Sequence, residues 1–190
     1  MLVRKPFIDT ATEWEEYGSH DERPLLPANI DPQVYASRAD RDQPFYLICE
    51  KDTMLVQLAG TAAVEFKGSS VNWFPMKPGD FVYVPGRTPH RIIAKEDGVY
   101  LRYKAREAGL EGIAWYCKCC ESEVFREVWD TATELSQEAY IRLSSIFNAD
   151  EGCRTCPECK AVHPQVETSG TRWAELAKDL RFSQPVAGII

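Results

Sequence analysis

Two pairs of cysteines carry the clearest chemistry in this chain: Cys117-Lys-Cys-Cys120 and Cys156-Pro-Glu-Cys159, with 35 residues between Cys120 and Cys156. A Cys-x-x-Cys loop turns two thiolates toward one point. Two such loops supply the tetrahedral four-sulfur set that Zn or a single Fe accepts. A closed four-thiolate site has no open coordination position, so its expected role is to staple a segment too small for a core of its own. Cys119 and Cys153 complicate the assignment, because Cys153-Arg-Thr-Cys156 has the same spacing. Pro157 makes a turn between Cys156 and Cys159, and Val162-His163-Pro164 follows as a strand-like exit, which favours the later pair. The expected ligands are therefore Cys117, Cys120, Cys156 and Cys159, holding one Fe or Zn.

The other chemical group stands at the end of Pro78-Gly-Asp-Phe-Val-Tyr-Val-Pro-Gly-Arg-Thr-Pro-His90. Pro-Gly-Asp is a turn, the β-branched and aromatic run after it has strand character, and Pro85-Gly86 breaks the strand. His90 then opens a second apolar segment, so it points from a strand end into whatever the sheet encloses. A histidine there is an acid, a base or a metal ligand, or a hydrogen-bonded structural residue.

Short apolar runs must position these groups. Phe45–Cys49, Met54–Leu58, Ala62–Phe66, Val71–Phe74, Phe81–Val84, Arg91–Ile93 and Val99–Tyr103 are evenly spaced and separated by Gly, Pro or Asp. A further short strand is expected around Val34-Tyr35. The pattern predicts a mainly β sandwich or small barrel. A short N-terminal helix is expected over residues 10–18, and two more over Thr133–Phe147 and Thr171–Leu180, after strand signals fade near residue 110. The expected division is a barrel with an N-terminal arm over 1–110 and a cysteine-bearing helical segment over 111–190.

With 44% hydrophobic and 27% charged residues the 190-residue chain is globular, and its net charge of −7 argues against nucleic-acid binding. Neither a signal-like leader nor a membrane-length apolar run is visible, so a cytoplasmic protein without a membrane partner is expected, and seven cysteines then read as ligands or thiols instead of disulfides.

With these elements in hand, residues 30 to 164 resemble the cupin superfamily, and within it the two-metal form of the 3-hydroxyanthranilate 3,4-dioxygenase family. The likeness rests on Gly79-Asp-Phe-Val-Tyr-Val-Pro85 with His90, on Gln57-Leu-Ala-Gly60, on Trp115-Tyr-Cys117-x-x-Cys120, and on Cys156-Pro-x-Cys159-x-x-Val-His-Pro164. It implies a double-stranded β-helix, a homodimer, a rubredoxin-like C-terminal site, and a catalytic Fe(II) that opens an aminophenol ring with O2. It also implies two histidines and a glutamate on that iron. Here the pattern breaks: the first histidine falls on Leu47 and the glutamate on Thr53, leaving His90. Gln43 and Ala94 stand where the family has arginines, and Ala105 where it has an acid, while Tyr46 is kept. A second, catalytic Fe(II) is therefore not expected.

Cys49 occupies the place of a second first-motif histidine in many cupins. By strand alternation it shares the inward face with Leu47 and lies near His90, where a Cys–His pair can serve as nucleophile and base or Cys49 can simply fill the core. The expected catalytic residues are His90 and Cys49, with Tyr46, Gln57, Tyr83 and Tyr103 around a small aromatic metabolite. Arg87, Arg91 and Arg102 are expected as solvated charges near the barrel mouth. The expected activity is metal-free acid–base or Cys-assisted chemistry on an aromatic or amino-aromatic acid derivative. The alternatives are ring cleavage with altered ligands and a non-catalytic binding cupin.

Overall fold

The computed structural model describes residues 13–183. The N-terminal helix expected to begin at Thr10 starts outside the described residues, and within them a single 3-10 turn covers Trp14–Glu16. Eleven strands follow: β1 (Arg23–Pro24), β2 (Gln33–Arg38), β3 (Tyr46–Cys49), β4 (Thr53–Ala59), β5 (Ala62–Phe66), β6 (Trp73–Met76), β7 (Phe81–Val84), β8 (His90–Ala94), β9 (Val99–Lys104), β10 (Leu110–Tyr116) and β11 (Glu123–Asp130). The helices are α1 (Ser136–Ala149), α2 (Glu151–Arg154) and α3 (Trp173–Ser183).

The strands form two antiparallel sheets, β1-β2-β9-β4-β7 and β11-β10-β3-β8-β5-β6, a mainly β architecture of the kind the cupin resemblance implies. Between the sheets, Leu55, Val64, Met76, Val84, Ile92 and Tyr100 form one apolar cluster. On the open side, α1 and α3 close the gap: Tyr140, Leu143, Phe147 and Trp173 pack on Leu47, Ile113, Trp115 and Trp129. Trp115 stacks on Phe147 with centroids 4.1 Å apart. Removing such an aromatic ring from a filled core costs about 3–5 kcal/mol.

Strand signals do not in fact end near residue 110. Glu111–Ala114 of β10 pair with Tyr46–Cys49 of β3, so the second sheet runs through the boundary expected there. β10 is buried without interruption from Glu111 to Trp115, the pattern of a strand covered on both faces, which lacks period-two alternation.

Strand alternation also sorts the side chains of β7 and β9. Val82 and Val84 face in, so Phe81 and Tyr83 face out. On β9, Tyr100, Arg102 and Lys104 face in, so Tyr103 faces out between Val34 and Met54.

Candidate functional site

The barrel centre is built around His90, which is fully buried at the start of β8 and paired with Leu47 across β3. Its Nδ1 lies 3.0 Å from the Thr88 carbonyl, which only accepts, so Nδ1 carries the proton. The Nε2 lone pair then faces Arg102 Nη1 at 2.5 Å. Arg102 Nε in turn lies 2.9 Å from Glu22 Oε1. Lys104 Nζ reaches Glu22 Oε2 at 2.7 Å and Glu111 Oε1 at 2.9 Å. Tyr140 donates to Glu22 Oε2 at 3.1 Å, and Ser136 to Glu111 Oε2 at 2.8 Å. Two cations and two carboxylates thus neutralise one another between the two apolar clusters, where an unpaired charge would be costly.

Glu22 is placed by its backbone. It and His20 hold positive φ angles of 51° and 52°, and the arm is strapped down by Gln137 on the Glu22 carbonyl and by Trp173 Nε1 on the His20 carbonyl. Left-handed non-glycine residues persist only when surrounding contacts over-determine them.

Electrostatics follow from this arrangement. Burial and then the Arg102 charge hold the His90 pKa well below its usual value, so the ring is neutral. Burial, with Glu111 beside it, pushes the Cys49 thiol up to about 12. Attraction to Glu111 and Glu22 outweighs burial at Lys104 and keeps its ammonium charged. Cys49 donates to Glu111 Oε1 at 3.8 Å and makes no hydrogen bond to His90, so the expected Cys–His couple is not assembled.

The other expected pocket residues scatter. Gln57 is inward and fully buried, but its Nε2 is spent on the Ala59 carbonyl at 2.7 Å. Tyr46 lies on the opposite face of β3 from Leu47, edge-on to Tyr116 at 5.0 Å and under Arg91 at 4.7 Å. Tyr83 is 57% exposed and bonds Asp52, so it lines no barrel cavity. Tyr103 faces out because Arg102, its neighbour, faces in; Arg102, expected as a solvated charge, is fully buried. Glu22, Lys104 and Glu111 were not legible as site residues. The available signal was the alternation Tyr100-Arg102-Lys104 on β9.

The iron set of the implied family is not reproduced at this centre. Leu47 offers no donor, Thr53 Oγ1 is buried without a partner, and the lone pair of the remaining imidazole is held by a guanidinium. A cation beside an imidazole nitrogen repels a divalent ion, so these residues do not fit ferrous iron.

The cysteine site is the reverse case. Cys117 accepts at its carbonyl from Glu121 N and donates its N–H to Ser122, and Cys156 does the same with Lys160 N and Ala161. Both loops carry a positive φ at the fourth residue, Glu121 at 61° and Lys160 at 63°. The two knuckles are therefore local copies of one turn. They bring Cys117, Cys120, Cys156 and Cys159 together with all sulfurs within 4.8 Å, which fits the ~3.8 Å edge of a tetrahedral Zn or Fe thiolate site. These four can hold one ion; Cys119 and Cys153 lie outside the cluster.

No family model matches the chain. Among curated proteins, it is 29% identical over 119 residues to 3-hydroxyanthranilate 3,4-dioxygenase of Ruegeria pomeroyi, covering 58% of this chain and 63% of the relative. It is 31% identical over 117 residues to the protein of that name from Brucella anthropi, covering 60% of each. The match to the Pyricularia oryzae protein is 30% over 89 residues, 44% of this chain and 48% of the relative. Over this stretch the chain is similar to 3-hydroxyanthranilate 3,4-dioxygenases, as a divergent relative of them.

The chain spans about three-fifths of the length of the two bacterial relatives. Solved structures overlap about half of the chain. They include hydroquinone 1,2-dioxygenase from a Sphingomonas species, at 11% identity and TM-score 0.46 over 51% of this chain and 72% of that one. A cupin-2 domain protein from Shewanella frigidimarina overlaps at 15% identity and TM-score 0.44, over 52% of this chain and 93% of that one. No helix among the described residues is long and apolar enough to cross a membrane.

Proposed function

We propose that this 3-hydroxyanthranilate dioxygenase-like cupin handles a small aromatic or amino-aromatic acid derivative by proton chemistry instead of iron and O2. The observation that carries the reading is the Arg102 guanidinium on His90 Nε2, the nitrogen an iron would need. Neither His90 nor Cys49 is the reagent, since one has its lone pair engaged and the other is a thiol held neutral. The groups that reach a cleft are Lys104, Glu22 and Glu111, at the floor of a space of about 680 Å3 walled by Gln33, Tyr35 and Ser136. There the Lys104 ammonium stabilises negative charge developing on a substrate oxygen, and the Glu111 carboxylate takes a proton from carbon, nitrogen or oxygen. Decarboxylation, isomerisation, cyclisation and condensation all use that pair. Cys117, Cys120, Cys156 and Cys159 would hold a structural Fe or Zn. The family likeness further supports a homodimer, which sedimentation would test.

Elemental analysis of anaerobically purified protein, with O2 uptake on 3-hydroxyanthranilate, tests the reading. It predicts one metal per chain in both wild type and His90→Ala, and no uptake. Two metals in the wild type falling to one in the variant, with uptake, would restore the ring-cleaving reaction.

A second reading, a non-catalytic binding cupin, is favoured by the pairing of every charge in the network. It predicts thermal stabilisation by an aromatic acid with no turnover, and Glu111→Gln would then change affinity without abolishing a reaction.

A further inference from the structure

A separate cleft lies outside the barrel, about 490 Å3 in volume, between the Phe66–Val71 turn and the loop that leads to His90. Its walls are Phe66, Val71, Phe74 and Tyr83, and its two charged residues are Lys67 and Arg87. In a chain of net charge −7, this cleft is lined by cations with no acidic residue. Its volume falls in the range of small-molecule sites.

The lining is arranged for a flat ligand. Phe66 and Phe74 meet edge to face at 5.3 Å, while Val71 and Tyr83 remain 58% and 57% exposed, large apolar surfaces that no core residue covers. The Tyr83 hydroxyl is turned away to Asp52 Oδ2 at 2.8 Å, which leaves its ring for the cleft. Lys67 turns its ammonium away from the cleft, to Glu121 at 3.6 Å, Glu65 at 4.0 Å and the rings of Tyr46 and Tyr116 at 5.7 Å. Arg87 is solvent-exposed, and its guanidinium has no hydrogen bond or ion pair among the described residues. Its backbone N–H is tied to the Cys49 carbonyl at 2.6 Å, and its φ of 64° is one that glycine adopts without strain. An unpaired arginine kept in a glycine conformation beside aromatic walls points to a ligand.

We propose that this cleft binds a free aromatic carboxylate, its ring against Phe74 and Tyr83 and its carboxylate on Arg87. The site borders the barrel centre through Thr88, whose carbonyl holds His90, and shares none of the charged groups of the chemistry proposed there.

Benzoate titrated into isotope-labelled protein, followed by amide shifts, tests the site. Saturable shifts on Gly68, Ser69, Phe74 and Thr88, with a dissociation constant of ~1 mM or tighter, are expected. Benzyl alcohol, which lacks the charge, should bind about tenfold more weakly. Arg87→Gly removes the cation and relieves the backbone, so it should bind benzoate about tenfold more weakly while melting no lower than wild type. Shifts clustered at Lys104 or Tyr46 instead, binding by Arg87→Gly within about twofold of wild type, or no shifts at ~10 mM benzoate would each overturn the assignment. A fall in melting temperature for Arg87→Gly would also overturn it, by making Arg87 a structural residue.

Discussion

The barrel centre and the cysteine knuckle are two places where the resemblance to 3-hydroxyanthranilate 3,4-dioxygenases implies a metal, and they depart from it in opposite directions. In the knuckle all four donors remain, within 4.8 Å of one another, on two turns with the same hydrogen bonds. In the barrel one imidazole is left, and Arg102 supplies the positive charge that an ion would have supplied. A buried site built around a cation cannot simply lose it, because the carboxylates around it would be stranded. Here Glu22 and Glu111 are answered by Arg102 and Lys104, so the barrel keeps its charge balance with covalently attached cations.

The largest effect that would break this contrast is expected at the knuckle. Cys156→Ser should reduce the expected metal from one to none and remove binding free energy on the order of 10 kcal/mol that would tie the two knuckles together. Elemental analysis and protease sensitivity of the knuckles would show it; intact, resistant knuckles would mean that α1 packing alone suffices.

Next comes the ion network. Glu22→Gln leaves Arg102 and Lys104 facing a single carboxylate and should cost about 3–5 kcal/mol in urea unfolding. Adding Arg102→Met should recover part of that loss, because the two residues are coupled. Strict additivity would show that the salt bridge is not a working pair.

The histidines give a smaller, pH-dependent effect. Burial pushes His20 down to about 4, and His90 is held well below its usual 6.5. The unfolded chain takes up these protons near pH 6.5, so their contribution is complete above that pH and is lost as pH falls toward 4. Each contributes a slope of about 1.4 kcal/mol per pH unit, and His90→Gln should remove its share. An unchanged slope would mean that His90 titrates normally and that Arg102 does not face it in solution.

Smallest of all is Cys49. With its thiol at about 12, it should resist alkylation in the native protein while exposed Cys119 reacts. Cys49→Ala should cost about 1–2 kcal/mol. Rapid labelling of Cys49 at neutral pH would restore it as a nucleophile.

Much of the fold was legible because its signals are local: strands β3 to β9 lie close to the apolar runs that mark them. β10 was missed because a strand buried on both faces shows no alternation. In the site, Tyr103 and Arg102 show the limit. Adjacent residues on a strand cannot both face in, and composition alone favours the aromatic ring over the charge. The guanidinium faces in because Glu22, eighty residues earlier in the chain, is strapped beneath it.

The sequence by itself determined the knuckle ligands and the position of His90 at a strand start, since a turn of a few residues sets where each thiol and the imidazole point. Tertiary structure alone decided what His90 meets. Arg102, Glu22, Lys104 and Glu111 come from separate segments joined only by strand register and helix packing, and the charge of each is tolerable in the core only beside the others.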